Sequence, residues 1–471
     1  MLRNFTLAIM AIAASACSEL STNKPVNDVK AIVTASGSND AGYIKRDQDH
    51  IKPVGFNGKV YYVSESGDDK QDGLSIASPL KTLQAAEKKT QPGDTVYVLN
   101  GTYTNEFGKH ILKITQSGTA ENWIRYMAYP DHKPVLRSSS TGGIYIHGAS
   151  YLLIDGLTLI GPQDDITLEE AIEYQDIKEH PVATNTGIAL KPLKLENGKY
   201  QYGHHLVIQN NNVSKFNCNG IGFTRGDYLL VQNNKVHHNA FYSPWACSGI
   251  STWSNWNFDN NQDIYRVIFR NNETYNNYNH IKFWMQNKIT DGNGIIIDAL
   301  MLDQNVINDG LDQEYSGHVL VSNNISHHNG GRGINIYHSD NVDIIHNTTY
   351  ANGQHPNINS ELGIGSSNNI SLFNNIFYGQ KENNMFLFYY SEDIYTDANL
   401  FYGFSELGMP IPDDELAIFK RPHFKDTINL DFSLTSQSPA VNRANPLMSV
   451  PEDFNYHKRD QQPDLGAFEA L

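Results

Sequence analysis

The side chains most able to do chemistry lie on one short predicted strand in the middle of the chain. Strand side chains alternate in direction, and Ile281 and Phe283 are the two that can fill a narrow apolar interior. His280, Lys282 and Trp284 are therefore predicted to point outward on one face. A lysine or histidine held on a rigid strand is a candidate general base, so Lys282 and His280 are predicted catalytic residues.

Neighbouring predicted strands add aromatic, amide and imidazole groups to this outward face. Trp253 lies on the preceding coil, and Asn335, Tyr337 and His338 lie on a later one. Pyranose rings stack on Trp and Tyr, whereas hydroxyl and carboxylate groups need amide or charged partners. These four residues, together with Trp284, are therefore predicted to bind a polysaccharide substrate. Taken one at a time, each is also compatible with a solvated surface.

A turn rich in oxygen ligands follows the predicted strand directly. In Asp291-Gly292-Asn293-Gly294 the glycines permit a tight turn, and the Asp and Asn side chains offer the hard oxygen atoms that calcium prefers. Asp298 follows the apolar residues 295–297, and a carboxylate in a stacked turn needs a cation, an arginine or a proton. Asp291, Asn293 and Asp298 are therefore predicted calcium (Ca2+) ligands. An Asx turn with backbone hydrogen bonds is the alternative.

Arg332 completes a first chemical hypothesis. It precedes an outward strand, where its guanidinium could hold a substrate carboxylate through two hydrogen bonds or else form a structural ion pair. β-Elimination from a uronic acid polymer needs a base for the C5 proton and positive charge beside the carboxylate. Lys282 or His280 would be the base, and Arg332 with calcium at Asp291 would neutralise the acid.

Two other functions use the same region differently. Paired carboxylates, Asp291 with Asp298 or Asp309 with Asp312, would suit glycoside hydrolysis. A non-catalytic glycan-binding protein would use the tryptophan face alone. A lyase releases a product with a new double bond, a hydrolase releases only new reducing ends, and a binding protein releases neither.

Asparagine pairs at similar intervals indicate the fold that positions these residues. A ladder of Asn or Asp recurs at steps of about 20 to 40 residues, which is typical of solenoids. Its predicted members are Asn212, Asn234, Asn272, Asp298, Asn324, Asn347 and Asn375. Stacked coils lie roughly 4.8 Å apart, so an amide in a bend can donate to one neighbouring coil and accept from the other. The pattern predicts an all-β fold, a parallel β-helix.

A short helix is predicted to close the first coil. Ser78 can cap it, with Pro79 at the first helical position. Leu80, Leu83 and Ala86 then lie on one face. This apolar face would cover the open end of the solenoid.

Two cysteines are predicted to lie in adjacent coils. Cys218 and Cys247 each stand two residues before a Gly-Ile pair. One strand spacing falls within the Cα separation that a disulfide accepts. A disulfide and a pair of buried thiols are both compatible with this placement.

The start of the chain is typical of a lipoprotein signal peptide. Residues 1–17 combine one arginine, an apolar stretch and small residues before Cys17. Lipidation of Cys17 is predicted, with plain secretory cleavage near Ala16 as the alternative. Residues 18–57 are predicted to be a flexible tether and residues 58–471 the β-helix domain. The protein is thus expected at the outer membrane or cell surface, otherwise in the periplasm or secreted.

Composition narrows the partners. The 471-residue chain has a net charge of −16 and no Lys/Arg stripe of the kind that binds phosphate backbones, so nucleic acid is not expected as a partner. No other run is long and apolar enough to span a membrane, so membrane contact is expected only through the lipid anchor. A polysaccharide substrate and a monomeric state are expected.

Several motifs at both ends of the predicted domain point to one group of proteins. They are Tyr61-Tyr62-Val63-Ser64, Ser78-Pro79-Leu80-Lys81-Thr82, Pro92-Gly93-Asp94-Thr95-Val96, Gly101-Thr102-Tyr103, Ser438-Pro439-Ala440-Val441 and Asp464-Leu465-Gly466-Ala467-Phe468-Glu469. With these motifs the chain resembles exported bacterial right-handed parallel β-helix proteins of the pectate-lyase-like superfamily, over residues 58–470. The resemblance implies that fold and carbohydrate chemistry, since the group includes polysaccharide lyases, glycoside hydrolases and epimerases.

The chain departs from the pectate lyases that it resembles most at two places that matter for catalysis. Those enzymes carry an Asp-Asp-Gly-x-Asp calcium motif and, some coils later, a catalytic lysine in a Gly-x-Gly-Phe-Lys setting. Asp291-Gly292-Asn293-Gly294 matches the first motif only in part, and Asn335 stands in the place of the lysine. The resemblance therefore leaves the choice among a lyase, a hydrolase and a binding protein open.

Overall fold

The described part of the chain is a stack of coils with three parallel sheets. The computed structural model describes residues 46–301, 313–409 and 416–470, all within one compact unit. Each coil passes from sheet 1 to sheet 2 and then to sheet 3, and each strand pairs in parallel with the equivalent strands of the neighbouring coils. The predicted parallel β-helix is confirmed.

A complete coil contributes one short strand to each of the three sheets. The eleven strands of sheet 1 are Val60–Val63, Thr95–Val98, Ile124–Ala128, Leu152–Asp155, His204–Gln209, Asp227–Gln232, Tyr265–Arg270, His318–Ser322, Val342–Ile345, Asn368–Phe373 and Glu392–Asp397. The ten strands of sheet 2 are Thr102–Thr104, Val135–Arg137, Thr158–Ile160, Asn212–Ser214, Lys235–His237, Glu273–Tyr275, Ile325–His327, Thr348–Tyr350, Ile376–Tyr378 and Leu400–Tyr402. The nine strands of sheet 3 are His110–Ile114, Gly142–His147, Thr186–Lys191, Ile221–Thr224, Ile250–Trp253, Ile295–Asp298, Ile334–Tyr337, Ser360–Gly365 and Asn384–Tyr389.

Only short elements interrupt the coils in the described residues. They are the helices Leu83–Glu87 and Leu168–Tyr174, the 3-10 segments Gln163–Asp165 and Pro446–Met448, and the antiparallel pairs Leu193–Lys194 with Tyr200–Gln201 and Phe424–Asp426 with Asp431–Leu434. None of the helices described is long and apolar enough to cross a membrane.

Alternation along the strands sends β-branched residues into the coil and leaves the outward positions for other roles. In sheet 3, Ile295 and Ile297 stack on Ile334 and Ile336 of the next coil, and all four are buried. β-Branched side chains suit such positions because they pack well on a pleated surface. The intervening residues point out of the coil.

A ladder of buried asparagines joins sheet 1 to sheet 2, but two of its predicted members are wrong. Asn211, not Asn212, belongs to the ladder, because its amide donates to the next ladder asparagine at 3.0 Å while Asn212 begins a strand of sheet 2. Asn272 donates directly to Asn324 Oδ1 at 3.0 Å. Asp298 therefore occupies no ladder position, since a long loop enlarges this coil rather than a further coil dividing the interval.

A second asparagine ladder, which the sequence did not predict, lies between sheet 2 and sheet 3. Its members are Asn239, Asn277, Asn329 and Asn352, and each of the first three donates to the next at distances between 2.8 and 3.1 Å. The ladder ends on Glu361, which accepts from the backbone N–H of Asn352 at 2.9 Å. Burial raises the pKa of Glu361 to about 7.

The helix that closes the first coil begins later than predicted. Thr82, not Ser78, is its N-cap, and the Thr82 hydroxyl accepts from a backbone N–H of the first turn at 3.1 Å. Leu80 lies before the helix and pairs with the first strand in an isolated bridge. Leu83 and Ala86 are buried against the core, as predicted.

The folded part of the chain begins before the predicted boundary at residue 58. Asp47 forms a parallel bridge with Ile264, and Ile51 is buried in a cluster on the outer face of sheet 1. That face carries an apolar strip, and such strips are normally covered. Residues 46–57 therefore pack on the coils instead of forming part of a tether.

Some sequence predictions concern residues outside the described ranges. The predicted signal peptide, the lipidation site Cys17 and the tether up to residue 45 are among them, as are Asp309 and Asp312. Export, lipidation and a carboxylate pair at Asp309 and Asp312 stay predictions.

Two sheets have covered outer surfaces, and the third does not follow this pattern. Met448 and Val450 belong to the same apolar cluster as Ile51 on sheet 1. On sheet 2, the Phe432 ring lies 5.0 Å from that of Tyr350. Sheet 3 instead presents partly or fully exposed polar and aromatic side chains, such as Tyr337. The outer face of sheet 3 therefore carries the candidate site.

Candidate active site on sheet 3

Sheet 3 brings several predicted site residues together on its outer face. The parallel register aligns Trp253, Asp298 and Tyr337 across three successive coils, at the ends of their strands. The next two coils continue this column with Gly365 and Tyr389. We call this column, together with Asp291, Arg332 and Asn335 beside it, the sheet 3 site.

Two glycines open the space beside the column. A Cβ atom at Gly363 would lie 2.1 Å from Asn335 Oδ1 and 2.6 Å from Arg332 Cδ. A Cβ atom at Gly365 would lie 2.5 Å from Tyr389 Cζ. The side chains of Asn335, Arg332 and Tyr389 therefore lie directly over the glycine backbone, and a larger residue would displace them.

Arg332 is held on this face with its charged group nearly buried. It is 8% exposed, its Nε donates to Ser360 Oγ at 2.9 Å, and its backbone N–H donates to Asn293 Oδ1 at 2.8 Å. Burial lowers the pKa of Arg332, whereas the charges of Asp291 and Tyr389 raise it. Because a guanidinium keeps its proton in proteins, Arg332 is the cation of the site.

Asp291 lies in the turn before the strand Ile295–Asp298, where both of its carboxyl oxygens accept hydrogen bonds. Oδ2 accepts from Thr290 Oγ1 and Oδ1 accepts from Asn293 Nδ2, each at 2.7 Å. Burial raises the pKa of Asp291 to about 6, while the Thr290 hydrogen bond, the charge of Arg332 and the Asn293 hydrogen bond oppose that rise. The carboxyl group therefore changes protonation close to neutral pH.

Asp298, at the end of the strand Ile295–Asp298, is the second carboxyl group of the site. Burial and then the charge of Asp291 raise the pKa of Asp298 well above its usual value. The phenol of Tyr389 interacts with both carboxyl groups, and burial and the neighbouring Tyr337 raise its pKa to about 12. The two carboxyl groups are thus coupled, because the charge of Asp291 opposes ionisation of Asp298. One carboxyl group can donate a proton while the other acts as a base or nucleophile.

Four of the five predicted substrate-binding residues lie at this site. Trp253 and Tyr337 lie on either side of Asp298 in the column, and Asn335 is the preceding outward residue on the strand of Tyr337. The ring of His338 lies 6.2 Å from that of Tyr337. Trp284 is the exception, because it lies on the loop that leads into the strand Ile295–Asp298.

The predicted strand that carries Lys282 is absent from the described structure. Residues 280–284 belong to the loop between sheets 2 and 3, in which Phe283 pairs only with Lys288. Lys282 is exposed on this loop, and His280 lines a separate cavity. The predicted strand is therefore wrong, although His280, Lys282 and Trp284 are exposed as expected. Catalytic roles for Lys282 and His280 stay predictions.

Long-range contacts explain why this segment leaves the sheet. The Asn279 amide donates to the carbonyls of Ala240 and Cys247, at 2.8 and 3.0 Å, which binds the loop to its neighbour. Trp284 packs edge-on to Trp245, with ring centroids 5.8 Å apart. These partners lie far away in the sequence, so local alternation could not reveal them.

The predicted calcium ligands do not fit a calcium site. Both Asp291 oxygens accept hydrogen bonds, and the Asn293 oxygen accepts from the backbone N–H of Arg332. The guanidinium of Arg332 supplies positive charge to the same carboxylate. In the described ranges, moreover, no group of three or more His, Cys, Asp or Glu side chains is arranged to hold a metal ion. Calcium therefore has no part in the mechanism proposed below.

A disulfide supports the turn that carries Asp291. Cys218 and Cys247 are bonded, with Cα atoms 5.1 Å apart in adjacent coils. The carbonyl of Cys247 accepts from the N–H of Gly292 at 2.9 Å. The bridge thus fixes the backbone against which the Asp291 turn rests.

The sequence analysis missed Tyr389, Ser360 and the two glycines Gly363 and Gly365. Glycine at both outward positions of one strand, in Gly363-Ile364-Gly365, was the available signal, because alternate glycines leave a flat surface. Nothing in the local pattern marked Tyr389, which reaches the site from the last strand of sheet 3.

Comparison with known proteins agrees with this fold. The structure is similar to the crystal structure of pectate lyase Pel9A, with a TM-score of 0.51 at 17% identity, over 88% of this chain and 97% of that chain. It is also similar to a rhamnogalacturonan lyase, with a TM-score of 0.40 at 15% identity, over 73% of this chain and 87% of that one. At 17% identity the likeness to pectate lyase Pel9A shows the fold.

A curated relative and a family model also match the chain. The uncharacterized protein YwoF of Bacillus subtilis (strain 168) is 31% identical over 123 residues, and the match covers 24% of each protein. The model of the Pel9A-like right-handed beta helix region matches residues 61–383, well over half of the chain. The chain therefore belongs to the Pel9A-like family of right-handed β-helix proteins.

Proposed function

We propose that the protein is a carbohydrate-active enzyme that hydrolyses a glycosidic bond in a glycan bound along sheet 3. The observation that carries this proposal is the pair of carboxyl groups on sheet 3, Asp291 and Asp298, whose pKa values are both raised and in which the charge of Asp291 acts on Asp298. Pairs of carboxyl groups that titrate apart are the acid and base of glycoside hydrolysis.

The roles of the two aspartates follow from their protonation. Asp298 keeps its proton and gives it to the oxygen of the leaving sugar as the glycosidic C–O bond breaks. Asp291, ionised above about pH 6, attacks the anomeric carbon or activates the water that does so. Water supplies the hydroxyl of the new reducing end, and its remaining proton restores the acid.

The other groups of the site bind and orient the glycan. Trp253 and Tyr337 flank Asp298 in the column and offer rings on which pyranoses stack. Arg332 supports the ionised form of Asp291 and can pair with a sugar carboxylate. The site is therefore suited to a polymer that contains uronic acid.

Product analysis with a panel of acidic and neutral polysaccharides tests this function. We expect new reducing ends without ultraviolet-absorbing unsaturated sugars. Asp298→Asn and Asp291→Asn should each lower the rate by about a thousandfold, the scale of lost acid–base catalysis. Asp155→Asn, a partly buried aspartate on sheet 1, is the matched control and should retain full activity. Full activity in Asp298→Asn would refute the assignment.

β-Elimination is the second candidate, and the nearly buried Arg332 beside Asp291 favours it. A cation there could neutralise a uronate carboxylate while a base removes the C5 proton. Unsaturated products that absorb in the near ultraviolet would establish this reaction in place of hydrolysis. Glycan retention without either kind of product would instead identify a binding protein.

A further inference from the structure

A cavity of about 380 Å³ lies on the loops between sheets 2 and 3. Three successive coils contribute to it, each at the residue after its sheet 2 strand: His238, Asn276 and His328. All three have positive φ, between 51 and 54°, so each coil turns in the same way at this point. The cavity is therefore built into the repeat of the fold.

Aromatic rings form the wall of this cavity. The Tyr278 and His280 rings are stacked, with centroids 4.5 Å apart and an interplanar angle of 29°. Phe241 meets His280 edge-on at 4.9 Å. Such a wall offers a broad π surface to a ligand.

The polar groups of the cavity are uncharged hydrogen-bonding groups. Asn276 Nδ2 lies 3.3 Å from His238 Nε2, and the amide of Gln354 donates to Ala351 O at 2.7 Å. The lining residues include no Asp, Glu, Lys or Arg in the part of the chain that the structure describes. Burial lowers the pKa of His238 and of the other lining histidines, which favours their neutral forms.

We propose that this cavity is a second glycan-binding site, which takes the ring of a neutral pyranose. A sugar ring presents C–H groups to an aromatic face and hydroxyl groups to amides and imidazoles. A uronate would bury its carboxylate without a cation, which is unfavourable. The volume also falls within the range of about 300 to 1,000 Å³ that is usual for small-molecule sites.

The cavity shares a wall with the sheet 3 site. A Cβ atom at Gly330, two residues before Arg332, would lie 2.4 Å from Cδ2 of Tyr278. A Cβ atom at Gly292, next to Asp291, would lie 3.1 Å from Cα of Tyr278. A neutral sugar held here is thus fixed beside the segments that carry the charged residues. Binding does not depend on bond cleavage.

Affinity electrophoresis of the full chain tests the proposal. The parent protein in this test is the Asp298→Asn variant, so that turnover does not consume the polymer. The native gels contain galactomannan, xyloglucan, arabinogalactan or mixed-linkage β-glucan. We expect at least one neutral polymer to retard the protein. Tyr278→Ala and His280→Ala should each weaken that retardation by about tenfold, since stacking is lost. Tyr278→Phe and the exposed, distant Phe107→Ala should leave it unchanged within about twofold.

Two results would overturn the second site. One is the failure of every neutral polymer to retard the parent, and the other is retardation that His280→Ala and Tyr278→Ala leave intact. His280 is exposed, so its replacement keeps the fold even if Tyr278→Ala unfolds. In gels that contain polygalacturonate, an acidic polymer, these variants should migrate as the Asp298→Asn parent does. Because the parent lacks the proton donor, none of these outcomes depends on the hydrolytic mechanism.

Discussion

The side chain of Asn293 joins the two charged residues of the sheet 3 site. Its oxygen accepts from the backbone N–H of Arg332 at 2.8 Å, and its nitrogen donates to Asp291 Oδ1 at 2.7 Å. Asn293 is fully buried and also donates to Ser248 Oγ at 3.1 Å. One amide thus fixes the position of the Asp291 carboxylate relative to the backbone of Arg332.

Replacing Asn293 should therefore change the pH dependence of activity as well as the rate. The Asn293 hydrogen bond lowers the pKa of Asp291, so Asn293→Ala should shift the acid limb of the profile to higher pH. We also expect the maximal rate to fall by about tenfold or more, because the Asp291 carboxylate is no longer held in place by the Asn293 amide. Asn357→Ala, at an exposed position, is the control and should change neither the acid limb of the pH profile nor the maximal rate. An unchanged acid limb would show that Asn293 has only a structural role.

The activity of the unsubstituted enzyme should rise with pH through about 6, as Asp291 loses its proton. At higher pH it should fall as the proposed acid Asp298, whose pKa is raised by burial and by the charge of Asp291, loses its own proton. A bell-shaped profile of kcat/KM measures both steps. A rate that is flat from pH 5 to 8 would contradict the assignment of these two residues.

Protonation of Glu361 should make stability depend on pH in the opposite sense to an ordinary buried ion pair. Burial raises the folded-state pKa of Glu361 from 4.5 to about 7, so the folded state binds the proton more tightly than the unfolded state. The resulting stabilisation is complete below about pH 4.5 and is lost as the pH rises through about 7, with a magnitude of about 3 kcal/mol. Denaturant titrations of the unsubstituted protein and of Glu361→Gln between pH 5 and 8 should show this contribution of Glu361 to the pH dependence of stability only in the unsubstituted protein.

Two adjacent asparagines provide a direct test of the ladder. Asn211→Ala removes the buried side-chain hydrogen bonds of Asn211 to Asn234 Oδ1 and to two backbone groups, so it should lower the free energy of unfolding by about 2 to 4 kcal/mol. Asn212→Ala, at the partly exposed position beside it, should cost less than about 1 kcal/mol. Thermal or denaturant unfolding measures both. Equal losses would contradict the assignment of Asn211 to the ladder.

Lys282 distinguishes the two proposed reactions. If the aspartate pair catalyses hydrolysis, Lys282→Ala should keep activity within about threefold, whereas a lost general base would cost about a hundredfold or more. The same assay with a chelator should give an unchanged rate, because Asp291 and Asn293 are engaged by protein donors. A large loss in either experiment would favour β-elimination with a lysine base or a metal.

How far the sequence predicts this structure depends on the range of the interactions involved. The repeat of apolar strands and asparagines predicted the coils, because each coil repeats the same local pattern. Asp298 lies on the outer face of sheet 3, but its predicted ladder position is wrong, since its interval and apolar flank imitate those of the ladder asparagines. Lys282 was misplaced for a different reason: the loop that carries it is shaped by contacts with distant loops.

The stacked arrangement of the coils also bears on how such a protein can evolve. The backbone pairing of a coil in each sheet is with the coils directly before and after it. The charged residues Asp291, Asp298 and Arg332 lie within two adjacent coils. Duplication or deletion of a whole coil elsewhere would lengthen or shorten the binding surface and leave the spacing of these residues unchanged. Selection on glycan length can therefore proceed separately from selection on the bond-breaking chemistry.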